Sequence, residues 1–138
     1  NVGELLFPRP FGDRALVAGS VSRTQLTERE GMGSLDKSRE HLAEQIRFLK
    51  DAGVDFLMLE TFFHLAEMKV ALKCAADAGL PAVATMSFRP LITECTDGYT
   101  PAECARIMAD HGAIAVVNRR PPDVCTGAID HSDDFSDN

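Results

Sequence analysis

Asp51-Ala52-Gly53-Val54 recurs twice along the chain with little change, as Asp77-Ala78-Gly79-Leu80 and as Asp110-His111-Gly112-Ala113. Each copy follows an amphipathic stretch and precedes a short apolar run. Glycine just past a helix adopts the left-handed backbone conformation without steric cost, so each copy predicts a helix end. The apolar runs that follow are too short and too rich in β-branched residues to be helices, so they predict buried strands. The repeated unit predicts a parallel α/β sheet.

The composition is that of an ordinary soluble domain, with 138 residues of which 45% are hydrophobic and 25% charged. A net charge of -7 argues against a nucleic-acid partner, because phosphate binding needs clustered Lys and Arg. The apolar runs are too short to cross a bilayer and the amino terminus lacks a signal-peptide pattern, so we expect no membrane partner and a cytoplasmic location. Four widely spaced cysteines predict free thiols: Cys74, Cys95, Cys104 and Cys125.

The pattern predicts four strands alternating with three long helices. The predicted strands are Ala15–Gly19, Val54–Glu60, Ala82–Ser87 and Ala113–Asn118. The predicted helices run from a cap at Ser34 to Ala52, over Leu65–Ala78, and from the capping box Thr100-Pro101-Ala102-Glu103 to Gly112. The polar segment 22–33 predicts a loop. For the helix over Leu65–Ala78 we predict a buried stripe of Ala66, Val70, Ala71, Cys74, Ala75 and Ala78.

The two ends of the chain differ in composition from residues 15–118, which we predict to form one βα domain. Pro8 and Pro10 prevent a regular helix, so residues 1–14 predict an extended lead-in. Residues 119–138 are acidic and carry little apolar surface, which predicts a disordered tail.

The carboxyl ends of parallel strands are where functional side chains gather, and here they carry Ser20, Glu60, Ser87 and Asn118. Glu60, followed by Thr61, is either a solvated carboxylate or a group that holds a substrate ammonium ion. Asn118 is either a turn former or a binding residue, because its amide both donates and accepts. Ser20 follows a glycine, a pair that suits either a turn or a ligand contact.

Other chemistry has little support in the sequence. The histidines lack metal-ligand spacing, so we assign no metal to His41, His64, His111 or His131. No Ser or Cys sits in a nucleophile elbow, and Gly31-Met32-Gly33 follows a polar segment rather than a strand, which excludes a phosphate loop.

Three stretches together resemble the homocysteine S-methyltransferase family: Ala15–Ser22 (ALVAGSVS), Val54–Phe62 (VDFLMLETF) and Pro81–Phe88 (PAVATMSF). The resemblance implies an α/β fold that is part of a (β/α)8 TIM barrel, with about four parallel strands and crossover helices. It also implies methyl transfer to the sulfur of homocysteine, held as a zinc-bound thiolate, to give methionine. Glu60 matches the family glutamate that holds the amino group, and we take Glu60, Asn118, Ser20 and Thr61 as candidate substrate-binding residues.

The chain departs from the family pattern at the zinc ligands. In the family one zinc cysteine follows the asparagine that Asn118 matches, and here Arg119 stands in that place. Two adjacent cysteines of a later strand have no counterpart in these residues. We therefore expect no bound zinc or other cofactor, and we assign no catalytic residue. We expect the chain to bind a homocysteine-like amino acid weakly and, as a truncated chain, to be inactive. An open half-barrel would need self-association or the remainder of the barrel. The alternative is a non-catalytic α/β module that binds a partner or itself.

Overall fold

The fold is described from a computed structural model, which covers residues 15–88 and 94–119. The predicted lead-in and the predicted tail from residue 120 onwards lie outside the described residues.

Four parallel strands form one sheet in the order β1-β2-β3-β4, and each is joined to the next through a helix. The elements are β1 (Ala18–Ser22), α1 (Leu26–Glu30), a short 3-10 turn (Met32–Ser34), α2 (Leu35–Asp51), β2 (Phe56–Phe62), α3 (Leu65–Ala78), β3 (Ala82–Ser87), α4 (Pro101–Asp110) and β4 (Ala115–Arg119). The predicted parallel α/β topology is confirmed, and it is that of a partial barrel. None of the helices described here is long and apolar enough to span a membrane.

The three repeated glycine phrases form the same helix end. Gly53, Gly79 and Gly112 have φ angles of 83°, 71° and 90°. In each copy the glycine N–H donates to the carbonyl three residues back, and the next N–H donates to the carbonyl five residues back. This pair of bonds is the Schellman motif, which satisfies two carbonyl groups that the helix leaves free.

Three strands begin two or three residues later than predicted. β2 and β4 begin at Phe56 and Ala115 rather than at Val54 and Ala113. The residue after each glycine is still bonded to the preceding helix, so the strand starts later than the apolar run. β1 covers Ala18–Ser22 rather than Ala15–Gly19, because pairing with β2 begins only at Ala18 and continues through the polar end of the run. The predicted β3 is confirmed.

The predicted loop over residues 22–33 contains α1 and begins the 3-10 turn. Thr27 in this segment and Ser34 directly after it are buried, although the sequence here is polar. Burial of these two residues fixes the segment against the body of the domain, which a pattern based on apolar periodicity does not reveal.

The two faces of the sheet differ in burial. One face packs against the helices, and its strand residues include Gly19, Val21, Leu57, Leu59, Ala82 and Ala84. The other face carries Ser20 and Glu60 and is more open. The buried stripe of α3 is broader than predicted, because it also includes Leu65, Glu67, Met68 and Leu72 while Ala66, Val70 and Ala78 are half-buried.

Candidate functional site

Ser20, in the middle of β1, and Glu60, near the carboxyl end of β2, meet on the open face of the sheet. The Ser20 hydroxyl donates to Glu60 Oε1 across 2.5 Å. This length is typical of a hydrogen bond from a hydroxyl to an ionised carboxylate. Glu60 is half-buried, and its second oxygen can accept a bond from a cationic ligand. The structure thus brings together two of the four residues selected from the sequence.

Thr61 has a strained backbone directly after Glu60. Its φ is 65°, and the pairing of β2 with β3 shifts register between Leu59 and Phe62. Positive φ is a marked outlier for a β-branched residue and costs about 1–3 kcal/mol. Bulges of this kind redirect side chains at functional edges of sheets. The conformation is supported by Arg23, whose Nη1 donates to the Thr61 carbonyl across 3.0 Å.

Asn118 lies in β4, where its backbone is in register with Met86 of β3. Met86 is in turn in register with Phe62 of β2. Asn118 is therefore level with the end of β2, two strand spacings or about 10 Å away across the sheet. Its role in binding substrate stays a prediction, as does that of Thr61.

The cysteines in the described residues do not fit a zinc site at the strand ends. Cys74 is on α3, Cys95 precedes α4 and Cys104 is on α4, so none of them ends a strand. Burial raises the pKa of Cys95, and it raises the pKa of Cys104 to about 12. In the described part of the chain, these three cysteines are therefore buried thiols that do not end a strand.

Asp97 fixes the start of α3, next to the Glu60 strand end. Its two carboxylate oxygens accept from the N–H groups of Leu65 and Ala66, each across 2.9 Å. Desolvation raises the pKa of Asp97, but hydrogen bonds from the Cys95 thiol and from these N–H groups outweigh it and hold the pKa below its usual value. Sequence analysis missed this contact, because the cap comes from a residue more than thirty positions away.

A second polar cluster lies where the segment after β1 meets α3. Glu67 is fully buried, and its Oε1 accepts from the Thr24 N–H and from the Thr24 hydroxyl. Glu28 pairs with Arg23 across 2.8 Å, and His64 stands beside Glu28. Sequence reasoning did not group Glu28, His64 and Glu67. The available signal was that all three are ionisable and follow predicted strands, but their spacing in the chain has no metal-binding pattern.

A sequence model of homocysteine S-methyltransferases matches residues 7–136. The chain belongs to the homocysteine S-methyltransferase family. It is similar to betaine–homocysteine S-methyltransferase 1 of Xenopus tropicalis, with 35% identity in an alignment of 107 positions that covers 74% of this chain and 24% of the relative. It is also 32% identical to S-methylmethionine–homocysteine S-methyltransferase of Rattus norvegicus, over 74% of this chain and 27% of that protein. The chain thus spans about a quarter of the length of these relatives.

Solved members of the family share the fold. The apo form of the homocysteine methyltransferase MmuM from Escherichia coli aligns with a TM-score of 0.59 and 23% identity, over 75% of this chain and 38% of that chain. The metallated form of MmuM aligns with a TM-score of 0.55 over 80% of this chain and 41% of that chain. The four strands described here therefore match part of a complete family fold.

Proposed function

We propose that this chain forms the homocysteine-binding part of a homocysteine S-methyltransferase, in which Glu60 holds the amino group of the substrate. The observation that carries the proposal is the Glu60 carboxylate, held by Ser20 at the carboxyl end of β2 on the open face of the sheet. By resemblance, Glu60 occupies the position of the family glutamate with this role. Family membership supports the substrate class.

In this proposal the chain orients its substrate. Glu60 accepts hydrogen bonds from the ammonium group, and Ser20 fixes the carboxylate so that one oxygen stays directed to the ligand. Thr61 follows Glu60 directly, and by resemblance Asn118 is a further candidate for polar contact with the substrate. Orientation of this kind favours reaction because it removes part of the entropy cost of bringing two reactants together.

We further propose that the 138-residue chain binds homocysteine without transferring a methyl group. Arg119 occupies the place of a zinc cysteine, and the thiols in the described part of the chain are buried behind the sheet. In the family, zinc supplies a thiolate nucleophile at neutral pH. No step through zinc is assigned to the residues described here.

We propose that the open face of the sheet packs against further strands of a barrel, from the same protein or from a second chain. Val117 of β4 is 48% exposed, and barrel interiors are normally filled with side chains. A cytoplasmic location is proposed as well, since four widely spaced cysteines are typical of free thiols in a reducing compartment.

The test is an NMR titration of the purified chain with L-homocysteine. We expect a dissociation constant in the millimolar range, with shifts centred on the amides of Ser20, Glu60 and Thr61. A half-exposed ion pair contributes about 1 kcal/mol, so Glu60→Gln should weaken binding about fivefold. Glu40→Gln on the exposed side of α2 is the matched control and should leave binding unchanged. Equal binding by wild type and Glu60→Gln, or shifts confined to another surface, would refute the assigned role.

A further inference from the structure

Three ionisable side chains converge between α1 and the start of α3. One carboxylate oxygen of Glu28, one ring nitrogen of His64 and one carboxylate oxygen of Glu67 all lie within 4.8 Å of one another. Glu28 is in α1, which follows β1, and His64 is the residue immediately before α3. The cluster therefore joins the segments that follow two neighbouring strands.

Among the residues that the structure describes, two polar atoms of this cluster are buried and have no hydrogen-bond partner. They are Oε2 of Glu67, which is 0% exposed, and Nδ1 of His64, which is 7% exposed. His64 Nδ1 lies 4.0 Å from Glu28 Oε1, so this nitrogen faces the cluster but is too distant for a hydrogen bond. A buried polar atom without a partner costs about 1–3 kcal/mol, and more when it is charged. Two such atoms in one place are suited to bind a common ligand.

The surrounding groups orient the carboxylates and leave these atoms available. Thr24 donates twice to Glu67 Oε1, across 2.8 and 2.6 Å, which fixes the carboxylate and leaves Oε2 free. The Thr24 hydroxyl also lies 3.0 Å from the Ser38 hydroxyl. Outer hydrogen bonds of this type are typical of residues that bind metal ions.

The charges in the cluster favour a cation. Of the two carboxylates, that of Glu28 accepts from the guanidinium group of Arg23, whereas that of Glu67 accepts from Thr24. The positive end of α3 would oppose a cation, but the Asp97 carboxylate already accepts from its first two N–H groups. The two carboxylates therefore outnumber the guanidinium group of Arg23 beside them, and Glu67 is buried.

We propose that Glu28, His64 and Glu67 bind one divalent transition-metal ion, with Zn²⁺ as the best match. An imidazole with two carboxylates suits zinc, whose bonds to nitrogen and oxygen are about 2.0–2.2 Å. Ligand atoms around such an ion lie about 3.4 Å apart, so the cluster must contract from its present span. Glu28 can supply this movement because its side chain is 26% exposed.

The ion would have a structural role, since it links α1 to α3 beside the Glu60 strand end. This site is distinct from the thiolate site implied by family resemblance, and it does not depend on the proposed homocysteine binding. It also runs against the prediction that His64 binds no metal.

The experiment uses the full chain after treatment with a chelator. Zn²⁺ affinity is measured by competition with a chromogenic indicator, and Co²⁺ is added separately as a spectroscopic probe. We expect one ion per chain and a Co²⁺ spectrum without a sulfur-to-metal charge-transfer band. Glu67→Gln and Glu28→Gln should each weaken Zn²⁺ binding at least tenfold, in line with losses of about 10–100-fold for supporting residues. Glu30→Gln is the matched control, because Glu30 lies on the same short helix but pairs with Lys37.

Several results would overturn the proposal. The first is a strong sulfur-to-metal charge-transfer band in the Co²⁺ spectrum. The second is Zn²⁺ binding that survives both Glu28→Gln and Glu67→Gln, and the third is the absence of Zn²⁺ binding up to about 1 mM. Nitrogen NMR shifts showing His64 as an imidazolium that does not respond to Zn²⁺ would also overturn it, since a protonated His64 neutralises the carboxylates without a metal. Glu28→Gln changes a part-exposed side chain, so it keeps the test decisive if Glu67→Gln fails to fold.

Discussion

Removal of the Asp97 carboxylate should destabilise the domain by weakening the start of α3. Asp97→Ala deprives the N–H groups of Leu65 and Ala66 of their acceptors. Loss of a side-chain cap costs about 0.5–2 kcal/mol, and hydrogen bonds to charged groups contribute about 1.5–3 kcal/mol each. Asp97 is partly exposed, so water can replace part of these hydrogen bonds. We therefore expect Asp97→Ala to lower the free energy of unfolding by about 2–4 kcal/mol. Asp97→Asn keeps one acceptor oxygen and should lose about half as much.

The effect should depend on pH in a defined direction. The pKa of Asp97 in the folded chain is below the ordinary value of 3.8. A carboxylate of this kind contributes its full stabilisation above the unfolded-state pKa, and the contribution is lost as the pH falls through the folded-state pKa. The difference in unfolding free energy between wild type and Asp97→Asn should therefore be constant near neutral pH and decrease below about pH 4.

The assay is urea unfolding followed by far-ultraviolet circular dichroism at pH 7 and at steps down to about pH 2.5. Asp110→Asn, at the exposed end of α4, is the control and should stay within about 0.5 kcal/mol of wild type. The reasoning is refuted if Asp97→Ala and Asp110→Asn unfold at the same urea concentration, or if the difference for Asp97→Asn grows in acid.

Three further predictions concern packing, capping and thiol chemistry. Gly19→Ala places a Cβ 3.1–3.3 Å from three side chains and should cost about 1–3 kcal/mol in urea unfolding, whereas Gly33→Ala meets nothing within 4 Å and should be nearly neutral. Thr100→Ala removes the capping box of α4 and should cost about 1 kcal/mol, while Thr100→Ser should restore most of it. Cys95 and Cys104 have raised thiol pKa values and are buried, so alkylation at pH 8 should modify neither until urea unfolds the chain; rapid modification of either would contradict this.

The sequence was most informative where one residue type has one physical role. The glycines at 53, 79 and 112 each adopt the predicted left-handed conformation and end a helix. The capping box at Thr100 and Glu103 forms as predicted, because both partners lie within four residues. Local signals of this kind require no knowledge of the tertiary structure.

Contacts between distant segments could not be predicted in the same way. Asp97 caps α3 from the segment before α4, and Thr24 orients Glu67 from the segment after β1. Glu67 is buried although a charged residue is normally exposed. Its burial depends on Thr24, which only the folded chain brings near. The bulge after Leu59 likewise follows from pairing with β3 and has no local signal.

The central claim is that Glu60 recognises the amino group of a homocysteine-like ligand. The most direct measurement compares the affinities of L-homocysteine and N-acetyl-L-homocysteine for wild type and for Glu60→Gln. Wild type should prefer the free amine by about fivefold or more, because acetylation removes the positive charge that Glu60 binds. Glu60→Gln should bind both ligands equally. A wild type without preference, or a preference that persists in Glu60→Gln, would contradict the account.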